Sequence, residues 1–148
     1  HVRSTRAFVV NGRTVDDFSL RFQRGRITSI EGRSQDQEML RTLINNNEGA
    51  DRLGEVALVP ADSLVANRNR PYYNTLFDEN SSSHLAFGRA YRFCLDGGED
   101  LTEEKFLAAG GNVSSIHVDF MVGSTEVHVF GETAEGLRIP IMHNGVWS

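Results

Sequence analysis

Three short turns constrain the fold of this chain more than anything else in it: Asn11-Gly12, Arg24-Gly25 and Asn144-Gly145. Asn-Gly accepts φ > 0 at both central positions, and the resulting turn has the twist that antiparallel strands need. The flanking residues agree. Ala7 to Val10 is apolar, Val15 to Phe22 alternates from Asp17 on, and Ile27 to Glu31 follows the second turn. Phe18, Leu20 and Phe22 fall on one face of that strand, with Ser19 and Arg21 on the other. Residues 7–31 therefore read as an antiparallel meander. At the other end, Glu126 to Phe130, the turn at Ala134-Glu135-Gly136 and Leu137 to Met142 make a hairpin, with Val146-Trp147 beyond the last turn. His128 and His143 read as solvent-facing.

Between these ends the period changes. Met39, Leu40, Leu43 and Ile44 recur at helical spacing, Ser34 and Gln37 suit a capping box, and Asn45-Asn46-Asn47 should end the helix. Val56 to Val59 is an apolar run of the kind buried on both faces of a sheet, with Glu55 at its entrance. Gly54 beside it lets another group approach closely. Residues 61–73, with Pro60, Pro71 and the tract Asn67-Arg68-Asn69-Arg70, read as loop. A second helix is expected over about 82–92, N-capped by one of Ser81, Ser82 or Ser83. It would place His84 and Tyr91 on one face, two turns apart. Residues 93–113 are polar and glycine-rich, a flexible excursion with a short helix at 102–107. Ser115 to Gly123 is a strand with His117 and Asp119 on one face and Ile116, Val118 and Phe120 on the other. The expected fold class is α+β: a mainly antiparallel sheet with two or three helices in a single domain.

A chain of 148 residues buries a core without disulfides or structural metal. The net charge of −5 argues against nucleic acid as the main partner, since a binder needs a basic patch. Arginines crowd the first third, a pattern that strand faces in water explain. One cysteine, Cys94, excludes an internal disulfide and thiolate-only zinc sites, and fits a reducing, cytoplasmic compartment. No apolar run approaches the ~20 residues of a membrane span. The chain starts at His1 rather than methionine and carries no signal peptide, which predicts a piece of something longer.

Carboxylates (Glu55, Glu79, Asp119), imidazoles (His84, His117) and a phenol (Tyr91) are the residues able to carry chemistry. Each also has a plain structural explanation: a solvated Glu55, a satisfied core His84, a packed Tyr91, a His117–Asp119 hydrogen bond. If they converge, an oxygen-rich site with histidines suits Zn²⁺, Co²⁺ or Mn²⁺, and carboxylates can bridge two such ions. A nearby tyrosine hydroxyl could stabilise an oxyanion.

Three motifs go beyond this generic reading: L-G-E-V-A-L-V-P at 53–60, Y-Y-N-T-L-F-D-E-N-S-S-S-H-L-A-F-G-R-A-Y at 72–91 and I-H-V-D-F-M-V-G-S at 116–124. With the ending I-P-I-M-H-N-G-V-W, the chain resembles the thermophilic metallo-aminopeptidases, the group that includes aminopeptidases T and S and PepS. The resemblance implies that Glu55, Glu79, His84, His117 and Asp119 are metal ligands, that Tyr91 is catalytic, and that the cofactors are two divalent ions (Co²⁺, Zn²⁺ or Mn²⁺). It implies peptide substrates, removal of their N-terminal residues by a metal-activated water, and a homodimeric parent. Family members are longer and carry one more ligand glutamate upstream. Residues 1–148 are accordingly expected to be a C-terminal, ligand-bearing domain with weak or no activity alone. The competing expectation is a structural or self-association domain with an incomplete metal site. A hydrolase acting on something other than peptides is a third.

Overall fold

A computed structural model describes residues 1–68 and 70–148. The elements in order are β1 (Val2–Arg3), β2 (Phe8–Val10), β3 (Arg13–Val15), β4 (Ser19–Gln23), β5 (Arg26–Glu31), α1 (Ser34–Asn45), β6 (Leu53–Ala57), α2 (Thr75–Asp78), β7 (His84–Gly88), α3 (Glu103–Ala108), β8 (His117–Met121), β9 (Val129–Glu132), β10 (Arg138–His143) and β11 (Val146–Trp147). They form four antiparallel sheets, ordered β1-β4-β5, β2-β3, β6-β7-β8 and β11-β10-β9. The fold is α+β, as expected.

The turn pairs do what their chemistry dictates. Asn11 and Gly12 (φ 50° and 73°), Arg24 and Gly25 (51° and 75°), and Asn144 and Gly145 (50° and 76°) link β2 to β3, β4 to β5 and β10 to β11. The meander differs from expectation at residues 16–18. Asp17 takes φ 47° there and breaks the run into β3 and β4, which belong to different sheets. Phe18 and Leu20 still reach the core, 1% and 0% exposed.

That core joins the N-terminal sheets and α1 to one face of β6-β7-β8. Phe8 packs on Phe18 (ring centroids 5.5 Å apart), Phe18 on Phe120 (5.4 Å) and Phe120 on Phe87 (6.3 Å), with Val15, Leu20 and Leu40 completing it. Helix α1 buries Leu40 and Ile44 as its spacing predicts, but Ser34 and Gln37 form no capping box. Arg33 occupies the N-cap, and the Gln37 side chain donates to the Gly32 carbonyl at 2.7 Å instead. Four of the N-terminal arginines have carboxylate partners: Arg3 with Asp17, Arg21 with Glu31, Arg26 with Asp51, and Arg33 with Asp16 and Asp36.

Two expectations fail in the middle of the chain. No helix spans 82–92; residues 84–88 are the central strand β7. The serines that look like caps are buried, and Ser82 and Ser83 are bonded to distant backbone. Ser82 Oγ donates to the Gly123 carbonyl (2.8 Å), while Ser83 Oγ donates to the Val59 carbonyl (3.1 Å) and accepts from Val59 N–H (3.0 Å). The helix lies earlier, at α2, where Asn74 Oδ1 accepts from Leu76 N–H. Strand β6 is not buried on both faces either. It forms the sheet's edge, and Val56 is 64% exposed.

The 93–113 segment contains α3, N-capped by Thr102, with Phe106 buried. It is tied down by Asn112, whose Nδ2 donates to the carbonyls of Gly49 (2.7 Å) and Gly88 (2.5 Å). Asn67, Arg68 and Arg70 are exposed as read; Asn69 lies outside the described residues. His128 and His143 are exposed too. Among the described residues no helix is long and apolar enough to cross a membrane.

Candidate metal centre

Alternation along β6, β7 and β8 sorts their side chains between two faces. Leu85, Phe87, Val118 and Phe120 turn toward the core. The register puts Glu55 opposite Ala86 and Ala86 opposite Asp119, so one row across the sheet reads Glu55, Ala86, Asp119. His84 precedes Ala86 by two residues and His117 precedes Asp119 by two, which places all four polar side chains on the same face. Ala86 in the middle is short enough to leave room above it, and Glu55 and Asp119 lean inward from either side. One ligand atom each from Glu55, His84 and Asp119 lie within 4.8 Å of one another.

The two imidazoles are oriented alike. His84 Nδ1 lies 3.1 Å from the Ser82 carbonyl, and His117 Nδ1 lies 2.6 Å from the Arg89 carbonyl. A carbonyl only accepts, so in each ring Nδ1 carries the proton and Nε2 is left for the site. His84 Nε2 stands 3.4 Å from Glu55 Oε1. His117 Nε2 stands 3.2 Å from both Glu55 Oε2 and Asp119 Oδ1. Glu55 thus touches both histidines with its two oxygens. The His117–Asp119 hydrogen bond that the i, i+2 spacing allowed is made when His117 carries a second proton, on Nε2, and it is one edge of a larger cluster.

Glu79 approaches from the turn after α2, and Tyr91 from the loop after β7. Burial, and next the Asp119 carboxylate, raise the Glu79 carboxyl above its usual 4.5. Burial would depress His117, but its bonds to Asp119 and the Arg89 carbonyl, with the charges of Asp119 and Glu55, outweigh that and raise it above 6.5. Tyr91 is raised above 10, by burial first and then by Asp119 and Glu55, so its phenol keeps its proton. Its ring packs on His117 (4.6 Å between centroids) and stacks on exposed Phe93 (5.2 Å, 17°). Carboxylate charge adds to all three shifts, behind burial for Glu79 and Tyr91 and against it for His117. A cation would relieve that charge.

All six residues singled out in the sequence come to this face. His84 and Tyr91 do so by a route other than a shared helix: one lies at the start of a strand and the other beyond its end. Sequence reasoning missed Ala86, whose small side chain makes the room, and the carbonyls of Ser82 and Arg89, which set the histidine tautomers. The alternation of β7 could have flagged Ala86; backbone carbonyls leave no sequence signal.

The profile of the thermophilic metalloprotease (M29) family matches residues 1–147. The chain belongs to that family. Aminopeptidase AmpS of Bacillus subtilis (strain 168) is 44% identical over 147 residues, which are 99% of this chain and 36% of that protein. Aminopeptidase PepS of Streptococcus thermophilus is 42% identical over 147 residues, 99% of this chain and 35% of its own length. The solved structure of wild-type AmpT from Thermus thermophilus superposes with a TM-score of 0.88 at 44% identity, covering 99% of this chain and 35% of that one. The M29 chain described here therefore spans about a third of the length of these relatives.

Proposed function

We propose that this chain is the C-terminal, metal-ligand-bearing domain of an aminopeptidase that removes N-terminal residues from peptides using divalent metal. The observation that carries the reading is the Glu55 carboxylate bridging toward two histidine Nε2 atoms whose Nδ1 protons are held by backbone carbonyls. This is the way metal-bound imidazoles are oriented by an outer shell. The donor set fits: oxygens and imidazole nitrogens, buried on one side and open on the other. Glu55, Glu79, His84, His117 and Asp119 would hold two ions of the Co²⁺, Zn²⁺ or Mn²⁺ class. When bound, such ions supply Lewis acidity for a carbonyl and for water.

The protein's own groups supply the rest. Ser82 and Arg89 keep the imidazoles from turning. The raised Tyr91 hydroxyl remains a donor at neutral pH and can stabilise a developing oxyanion. The single exposed Cys94 fits a cytoplasmic location. The test is release of the aromatic amine from aminoacyl anilides by the intact protein. A chelator should abolish it, and Tyr91→Phe should lower kcat by about 10²–10³. The 148-residue segment alone should bind metal more weakly and turn over little or nothing. Appreciable turnover by that segment contradicts the domain assignment.

A second reading, self-association, is favoured by the C-terminal sheet. It leaves Leu137, Ile139, Ile141, Phe130 and Trp147 exposed, and an uncovered apolar patch of this kind marks an interaction surface. A homodimer built in part on this sheet is compatible with the peptidase reading.

A further inference from the structure

Strand β6 carries an irregularity between Leu53 and Glu55. Leu53 pairs with Phe87, but Glu55 pairs with Ala86, so Gly54 is an extra residue in the ladder. In an unbroken ladder Gly54 would oppose Ala86, and Glu55 would oppose Leu85. A one-residue slip sends a side chain to the other face of a sheet. Glu55 would then lie on the side of Leu85, toward the apolar core. The bulge returns it to the side of Ala86, between His84 and His117.

The same glycine has a second contact of consequence. A methyl group on Gly54 would sit 2.6 Å from the Arg89 carbonyl oxygen and 2.7 Å from that of Gly88, closer than carbon approaches oxygen. The Arg89 peptide has little freedom to retreat. Its N–H donates to the Ile116 carbonyl at 2.7 Å, and its own carbonyl accepts the His117 Nδ1 proton at 2.6 Å. Gly54 is not among the residues with positive φ, so an alanine there would meet no backbone strain of its own. The bare Cα matters because it admits a carbonyl.

We propose that Gly54 is a positioning residue for two ligands at once: its bulge turns Glu55 onto the site face, and its missing side chain makes room for the Arg89 carbonyl that orients His117. The proposal rests on the metal reading for its purpose, but the positioning itself is a property of the metal-free protein. Bulges near functional sites commonly re-aim a side chain in this way.

The experiment is imidazole ¹⁵N NMR of the intact metal-free protein together with Zn²⁺ titration, for wild type, Gly54→Ala and Gly145→Ala. Gly145 is the control because a Cβ there would also strike a carbonyl, that of Ser124, at positive φ but in the β10–β11 turn. Wild type should show a protected His117 Nδ1 proton. Gly54→Ala should lose that protection and bind Zn²⁺ about 10–100-fold more weakly. Gly145→Ala should lower the melting temperature while leaving both readouts at wild-type values. A wild-type Nδ1 proton that exchanges freely overturns the proposal, even if Gly54→Ala does not fold. So does a folded Gly54→Ala with wild-type His117 signals and Zn²⁺ affinity, or a Gly145→Ala that moves both as far. A Gly54→Ala that releases His117 in a protein binding no Zn²⁺ upholds the positioning and removes the metal reading alone.

Discussion

The two faces of the β6-β7-β8 sheet share a backbone and differ in everything else. The core face presents Leu85, Phe87, Val118 and Phe120 to a packed aromatic cluster, and fully burying a side chain such as Phe87 or Phe120 favours folding by about 1.5–3 kcal/mol. The opposite face gathers Glu55, Asp119, His84 and His117 around a single alanine, with Glu79 and Tyr91 leaning in. Burial and the nearby Asp119 charge raise the proton affinity of Glu79, which opposes folding unless a proton or a metal ion answers the charge. A rigid, apolar-backed strand holds in place what the site face alone would push apart.

The sharpest way to break this division is to hollow out the core face. Phe120→Ala should cost about 3–5 kcal/mol in denaturant unfolding, because Phe120 touches both Phe18 and Phe87. A loss under about 1 kcal/mol would mean that the sheet is not seated on this cluster. Next comes the site face. Ala86→Leu fills the space between Glu55 and Asp119 and should cost about 1–3 kcal/mol through crowding, yet eliminate Zn²⁺ binding in calorimetry. If that variant binds Zn²⁺ normally, the row through Ala86 does not frame the site.

A smaller effect separates the faces by pH. The folded-state pKa of His117 is raised, so its contribution to metal-free stability is complete below 6.5 and lost as pH rises through the elevated folded value. Glu79 is raised as well, so its contribution is complete below 4.5 and lost as pH rises through its own elevated value. The metal-free protein should therefore melt higher at pH 6 than at pH 8, and His117→Ala should narrow that gap. With Zn²⁺ present the trend should reverse, since ligands bind metal after losing their protons. The smallest effect is expected at the edge strand. Val56→Thr, at an exposed position, should shift stability by no more than about 0.5 kcal/mol in the same unfolding assay.

What could be read from the sequence was what local chemistry decides. Asn11-Gly12 and Asn144-Gly145 announce their turns because φ > 0 is a property of the residues themselves. The shared face of His117 and Asp119 follows from a period of two. The 82–92 segment misleads because Ser81-Ser82-Ser83 resembles a helix cap. Those hydroxyls are instead spent on Gly123, Val59 and the Asp78 carbonyl. A central strand is declared only by its neighbours, and Leu53 finds Phe87 across more than thirty positions. The bulge at Gly54 is hidden for the same reason, since the sequence names the glycine and not the carbonyl that approaches it. The candidate ligands were legible as residues; their convergence depended on a register that no local pattern encodes.

The central claim is that one face of this sheet is a metal centre built on Glu55, His84, His117 and Asp119. The most direct measurement is the melting temperature against Co²⁺ or Zn²⁺ concentration, for wild type, His84→Ala and His117→Ala. Ligand binding to the folded state should raise wild-type stability by about 2.7 kcal/mol at a hundredfold excess over Kd, and both substitutions should abolish the rise. A wild type indifferent to metal, or variants that respond as wild type does, would contradict the account.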